Sequence, residues 1–182
     1  MVSTHVALLR GINLGGKNMV PMAELRGYVE RAGGANVRSV VQSGNVLFDA
    51  SPTDAVTIGA AITTRIREQL GLTVPVVLLS ADELRAIVLG NPFLTEGAPE
   101  KELHVMVLSG VPTPERVAKL DPDRSPPDRF AVVDRAIYIH APNGVARGRL
   151  TNDYFDRALD AVSTSRNWRT VGRLVALCDD PT

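Results

Sequence analysis

Hydrophobic spacing along this chain switches between the two-residue and the 3.6-residue periods, and the sequence of switches occurs twice. Thr4 to Arg10 is a β-branched and apolar run ending at a Gly-rich loop, Gly11 to Val20, and predicts a first strand. From Pro21, the residues Met22, Leu25, Val29 and Ala32 recur at helical spacing until Gly33-Gly34. Val37 to Gln42 and Asn45 to Ala50 predict two strands around a tight hairpin at Ser43-Gly44. Ser51-Pro52-Thr53-Asp54 opens a helix, with Ser as cap and Pro at the first helical position. Ile58, Ile62, Ile66 and Leu70 line its apolar face, and Gly71 ends it. Val74 to Leu79 completes a βαββαβ order.

Ser80-Ala81-Asp82-Glu83 is a capping box, so a helix runs to Leu89 and stops at Gly90-Asn91-Pro92. Thr95 to Lys101 reads as a linker. The pattern then restarts with strand Leu103 to Ser109 and a helix opened by Thr113-Pro114-Glu115. Strands Phe130 to Val133 and Ile137 to His140 follow, and then a helix capped by Thr151, where Leu150 and Phe155 have staple spacing. In place of a fourth strand, Trp168, Val171, Leu174 and Cys178 recur at helical spacing and predict a final helix. A strand over Val171 to Cys178 is the alternative. The fold class is therefore α+β, with two ferredoxin-like (βαββαβ-type) halves packed together, the second incomplete and ending in a helix. The expected division is 1–94 and 95–182 within one compact body.

At 182 residues, 45% apolar and 22% charged, the chain has the composition of an ordinary globular protein. Twenty basic and twenty acidic side chains cancel, so no generic grip on nucleic acid or anionic membrane is implied. Met1 to Gly11 has no long apolar core after a basic start, and no stretch approaches the roughly 18 apolar residues of a membrane span. A cytoplasmic protein without a membrane partner is expected. Cys178 is the sole cysteine, which excludes an internal disulfide and a thiolate zinc site; it reads as a small buried apolar residue.

In a ferredoxin-like unit the first and second strands run parallel, so the loops that follow them emerge at one end of the sheet. Arg10, Asn13, Lys17, Gln42, Ser43 and Asn45, distant in sequence, are thereby expected at one rim. The windows Arg10 to Asn18, Gln42 to Asn45, Pro142 to Thr151 and Ser163 to Arg169 hold Arg10, Lys17, Arg147, Arg149, Arg166 and Arg169, and no Asp or Glu. Such a separation of sign suits an anion, with Gly15 and Gly16 peptides and Asn or Gln amides as further donors. The bland alternative is that Gly and Asn make turns and the cations are solvated.

Other motifs weaken on inspection. Gly11 to Asn18 nearly matches the phosphate-binding G-x-x-x-x-G-K-[ST] loop, but Asn18 lacks the hydroxyl for magnesium and Met19-Val20-Pro21 delays the helix. His5, His104 and His140 are too far apart in sequence to form a local ligand pair, and no metal site is expected. His140, where a strand meets the loop Ala141-Pro142-Asn143-Gly144, is the one candidate proton shuttle, with Lys17 as a second weak catalytic candidate. Ser43 lacks a nucleophile elbow and reads as a turn serine. Paired carboxylates are absent from these loops, which weighs against glycosidase and two-metal chemistry. Few strand residues are aromatic, Phe48 and Tyr138 among them, and this weighs against an RNA-recognition sheet. Trp168 reads as a core anchor rather than a stacking platform.

Leu8-Leu9-Arg10-Gly11-Ile12-Asn13-Leu14-Gly15-Gly16-Lys17-Asn18 resembles the family of bacterial proteins called domain of unknown function 1697. So do Met22-Ala23-Glu24-Leu25, Gln42-Ser43-Gly44-Asn45-Val46, Asn91-Pro92-Phe93, Pro142-Asn143-Gly144 and Arg166-Asn167-Trp168. The resemblance runs in order over nearly the whole chain. It implies an α/β fold with ferredoxin-like parts and brings no activity or cofactor. Family members often carry a Ser-Lys pair before the helix that Thr151 caps; this chain has Gly148-Arg149, keeping a cation and losing the hydroxyl.

The first expectation for function is a binding protein for a small anionic, phosphate-bearing ligand. Arg10, Asn13, Gly15, Gly16, Lys17, Gln42, Ser43 and Asn45 would hold it, with Arg147, Arg149, Arg166 and Asn167 as a second wall and no cofactor. The alternatives are a metal-independent enzyme acting on such a ligand and an interaction module for a protein or RNA.

Overall fold

A computed structural model describes residues 1–40 and 44–179. The first half contains β1 (Ser3–Leu9), α1 (Met22–Arg31), β2 (Ala35–Val40), β3 (Asn45–Ala50), α2 (Pro52–Leu70) and β4 (Val76–Ser80), followed by α3 (Ala81–Leu89) and a short α4 (Pro92–Thr95). The second contains β5 (Leu103–Leu108), one-turn α5 (Pro114–Val117), β6 (Arg129–Val133), β7 (Ala136–His140), α6 (Asn152–Leu159) and β8 (Ser163–Asn167), followed by α7 (Trp168–Asp179). The strands form two four-stranded antiparallel sheets, ordered β2-β3-β1-β4 and β6-β7-β5-β8. Both halves therefore have the ferredoxin-like arrangement.

The second half is complete, contrary to the expectation from spacing. Its fourth strand, Ser-Thr-Ser-Arg-Asn, pairs with β5 along Ser163↔Leu108 to Asn167↔His104. Polar residues hide this strand from a hydrophobicity pattern, yet Ser163 and Thr164 are fully buried. Burial is tolerable because their polar groups are bonded. Asp156 Oδ1 on α6 accepts from the Ser163 hydroxyl at 2.6 Å and from its N–H at 2.9 Å, and Thr164 Oγ1 accepts from Arg166 at 2.8 Å. The periodic residues Trp168, Val171, Leu174 and Cys178 do form a helix, and all four are buried. The segment opened by Thr113 makes only one turn, with no side-chain cap bond.

By internal packing the chain divides into Met1–Arg85 with Arg173–Thr182, and Ala86–Gly172. The divisions fall within α3 and between the ends of α7, so no boundary lies in the linker-like Thr95 to Lys101. In the first unit, Ile58, Ile62 and Ile66 of α2 and Leu25 and Val29 of α1 pack on Ala7, Leu9, Val46 and Phe48. Val6, Leu8, Leu47, Val77 and Leu79 on the other sheet face are also buried, which is why β1 reads as a continuous apolar run. In the second unit, Phe155 and Leu159 of α6 pack on Met106, Leu108, Ile137 and Ile139. Among the described residues, no helix is long and apolar enough to cross a membrane.

Candidate functional site

β1 and β2 are each antiparallel to β3, so both run toward the same end of the first sheet. There Leu9 N–H donates to the Gly44 carbonyl at 2.8 Å, and Arg10 N–H to that of Pro75 at 3.0 Å. Gly44 has φ +73°, and a Cβ on it would meet Leu9 Cβ at 2.8 Å and Ile12 at 3.0 Å. The start of the glycine-rich loop thus lies directly against Gly44, which immediately precedes β3. Gln42 and Ser43, expected at the same rim, lie outside the described residues.

The loop from Gly11 to Val20 is a small hairpin-like arm. Ile12 and Val20 are buried at its base. Asn13 N–H donates to the Asn18 carbonyl at 3.1 Å, and Lys17 N–H to that of Leu14 at 2.9 Å. Gly15 and Gly16, at φ +56° and +77°, form the two-residue tip, a backbone state that favours glycine at both positions. Asn13 itself sits at φ +54°, and its side chain clamps Val20. Its Oδ1 accepts from Val20 N–H at 2.8 Å, and its Nδ2 donates to the Val20 carbonyl at 2.9 Å. Asn18 Nδ2 adds a bond to the Gly11 carbonyl at 3.0 Å.

This bracing changes the roles expected of two residues. The Asn13 amide is committed to the arm, and the wholly buried Asn45 donates to the Val40 carbonyl at 3.1 Å, so both serve the backbone. Gly15, Gly16 and Lys17 are exposed at the tip, and Arg10 is half-buried at the root.

The second group of expected residues divides in the same way. Arg147 and Arg149 are exposed on the loop between β7 and α6. That loop is tied down, since Arg149 N–H donates to Ser125 Oγ at 3.0 Å and Arg124 Nε to the Arg149 carbonyl at 3.1 Å. The Arg124 guanidinium lies 3.8 Å from the Tyr154 ring centre, a cation–π pair that no spacing in the sequence reveals. Arg166 turns back on its own strand, donating to Thr164 Oγ1 and the Ser165 carbonyl at 2.8 Å, and burial lowers its pKa to about 10. Asn167 Oδ1 accepts from Thr170 N–H at 2.9 Å and so caps α7. Arg166 and Asn167 are thus structural, and only Arg147 and Arg149 remain as exposed cations of the expected wall.

His140 has no nitrogen open to a substrate. Its Nε2 is 3.1 Å from Glu102 Oε2, and its Nδ1 is buried without a hydrogen-bond partner. Proton transfer requires a ring nitrogen within reach of the reacting group, so this geometry argues against the shuttle role and ties Glu102 to β7 instead. His5 is buried, donating from Nδ1 to the Ser3 carbonyl at 2.9 Å and stacking on Phe48. His104 is partly buried, and burial pushes its pKa down. Among the described residues, no group of three or more His, Cys, Asp or Glu side chains is placed to hold a metal ion. The polar side chains that line a groove between α1 and α2 carry no signal in the sequence, because polar positions on a helix read as a solvated face.

The family model described as a protein of unknown function, DUF1697, matches residues 2–138. No curated protein matches the chain significantly. Among solved structures, a conserved bacterial protein from Streptococcus pneumoniae is similar, with a TM-score of 0.71 at 21% identity over 98% of this chain and 99% of that one. At that identity the likeness speaks for the fold.

Proposed function

The chain belongs to the DUF1697 family of proteins of unknown function, and since membership brings no activity, we propose from its own side chains that it binds an anionic, phosphate-bearing ligand through the Gly11–Val20 arm. Arg10, Lys17 and the exposed peptides of Gly15 and Gly16 are the contacts in this reading. The observation that carries it is the double clamp of Asn13 on Val20, which holds the arm in one shape and leaves Lys17 exposed at its tip. A preformed loop loses less conformational freedom on binding than a mobile one. No acid occurs from Arg10 to Asn18, and Lys17 pairs with none among the described residues. Arg147 and Arg149 form a separate cationic loop that could engage the same class of anion. A bacterial, cytoplasmic protein belongs to the same reading: the structural neighbour is bacterial, and a single buried cysteine suits a reducing compartment.

Thermal denaturation of the wild type and Lys17→Ala with pyrophosphate, nucleotides and sugar phosphates tests the proposal. A ligand at about 100 times its dissociation constant adds roughly 2.7 kcal/mol of stability. Stabilisation lost in Lys17→Ala supports the arm as an anion site, and stabilisation unchanged in that variant overturns it.

One observation favours a second reading. Leu14 and Met19, on either side of Lys17, are 61% and 56% exposed. Apolar side chains bared beside a cation suit a macromolecular surface better than a small ligand. In that reading the arm is an interaction module for a protein or RNA.

A further inference from the structure

A groove of about 420 Å3 lies between α1 and α2, lined by Glu24, Tyr28, Arg31, Arg65 and Gln69. Glu24, Tyr28 and Arg31 are spaced i, i+4, i+7 on α1, and Arg65 and Gln69 are spaced i, i+4 on α2. Each helix therefore presents a stripe of polar groups on the side next to its apolar face.

The groups in this groove contact one another. The Arg31 guanidinium carbon sits 5.3 Å from the Tyr28 ring centre, and Arg31 pairs with no acid among the described residues. Gly27 makes room for it, since a Cβ there would lie 2.9 Å from Arg31 Nη1. The Tyr28 hydroxyl donates to Glu24 Oε2 at 3.3 Å. Burial and Glu24 raise the Tyr28 pKa while Arg31 and Arg65 pull it down, so both guanidiniums act on one hydroxyl from opposite helices. Arg65 has an exposed partner, Glu68, at 3.2 Å, a pair weak enough to exchange for a ligand.

We propose that this groove binds a small hydroxylated anion, a sugar phosphate or sugar acid, with its phosphate or carboxylate between Arg31 and Arg65 and its hydroxyls on Glu24 and Gln69. Two guanidinium forks are the natural receptor for an oxyanion. A carboxylate accepts from hydroxyls and an amide both accepts from and donates to them, and the charged lining is unsuited to an apolar guest. The volume falls within the roughly 300–1,000 Å3 of small-molecule sites. This site is separate from the arm and does not depend on it.

The test is an amide NMR titration of the full chain with glucose 6-phosphate and gluconate, with glucose and inorganic phosphate for comparison. The expected result is saturable shifts at Gly27, Arg31, Arg65 and Gln69 with the two sugar anions, a weaker response to phosphate and none to glucose. Arg65→Ala abolishes them. Gly27→Ala displaces the Arg31 head and weakens binding several-fold while raising Tm, because alanine favours the helix; a merely structural role for Arg31 would not separate affinity from stability in this way. No saturable groove shift with either sugar anion, or an equal response to glucose, overturns the proposal. Shifts confined to Gly15, Gly16 and Lys17 would overturn the groove and leave the arm reading standing, whereas groove shifts with a silent arm would support the groove alone.

Discussion

Asn13 holds Val20 with both ends of one amide, its oxygen on the Val20 N–H at 2.8 Å and its nitrogen on the Val20 carbonyl at 2.9 Å. Asn13→Ala breaks both bonds and leaves Val20 partly unsatisfied, a loss of about 1–3 kcal/mol. Alanine is also strained at φ +54°. Asn13→Gly keeps the backbone state and loses only the bonds, so it should fall between the wild type and Asn13→Ala in urea denaturation. Hydrogen exchange at Val20 should accelerate in both variants. Unchanged Val20 protection would mean the clamp does not hold the arm.

Tyr138 is buried with its hydroxyl donating to the Ile87 carbonyl at 2.8 Å, one of the last carbonyls of α3 and without a helical partner of its own. Burial, with a smaller push from Asp134, raises its pKa from 10.0 to about 12. The unfolded phenol therefore ionises first. Its contribution to stability is intact below pH 10 and is lost as pH rises through 12, on the order of 3 kcal/mol in all. Tyr138→Phe should cost about 1–2 kcal/mol at neutral pH, through the orphaned carbonyl, and flatten that alkaline decline. An alkaline limb of unchanged steepness in the variant would assign the decline to other groups.

Asn167 separates a structural from a ligand-binding role. As the cap of α7 its loss in Asn167→Ala should cost about 1 kcal/mol, with Asn167→Asp restoring most of it. Any stabilisation by phosphate compounds should be the same in Asn167→Ala as in the wild type. A lost ligand response with unchanged Tm would return Asn167 to the binding site.

The asparagines mark the limit of what is legible in the sequence. Hydrophobic spacing locates the apolar strands and the long helices because burial imposes it, and it places the Gly11 loop beside Gly44 through topology alone. It could not show where an amide points, so Asn13, Asn45 and Asn167 read as ligand donors when each serves the backbone. β8 was hidden for a related reason. Its buried residues are Ser163 and Thr164, whose burial depends on bonds to Asp156 and from Arg166, partners no period reveals. The α1–α2 groove is hidden in the sequence because Arg31 and Arg65 look like ordinary surface cations until the two helices are set side by side.

His104 makes the opposite prediction to Tyr138. Burial is the main cause that lowers its pKa, opposed by a backbone hydrogen bond at Glu102. The unfolded chain then takes up a proton before the folded one does. Stability should fall as pH drops below about 6.5, the ordinary histidine value, toward the lower folded pKa. His104→Gln should flatten that part of the acid limb while leaving stability at pH 8 nearly unchanged. A limb that keeps its slope in the variant would show that His104 does not carry it.

Leu14 and Met19 decide between the two readings of the arm. Both are exposed beside Lys17, so replacing them with serine removes apolar surface from solvent and should not lower Tm. If the arm binds a small phosphate-bearing ligand, Leu14→Ser/Met19→Ser should keep the ligand-induced Tm shift that Lys17→Ala loses, since only the cation and the glycine peptides touch the anion. If the arm meets a macromolecule, the double variant should lose binding along with Lys17→Ala. The two losses should then respond differently to salt. Charge attraction is screened beyond about 8–10 Å at physiological ionic strength, whereas apolar burial is not, so binding by Lys17→Ala should be less salt-sensitive than binding by the serine variant. Whether the serine variant keeps binding therefore separates an anion site from an interaction surface, and the salt series tests the part Lys17 plays in either. Equal salt dependence in the two would remove Lys17 from either role.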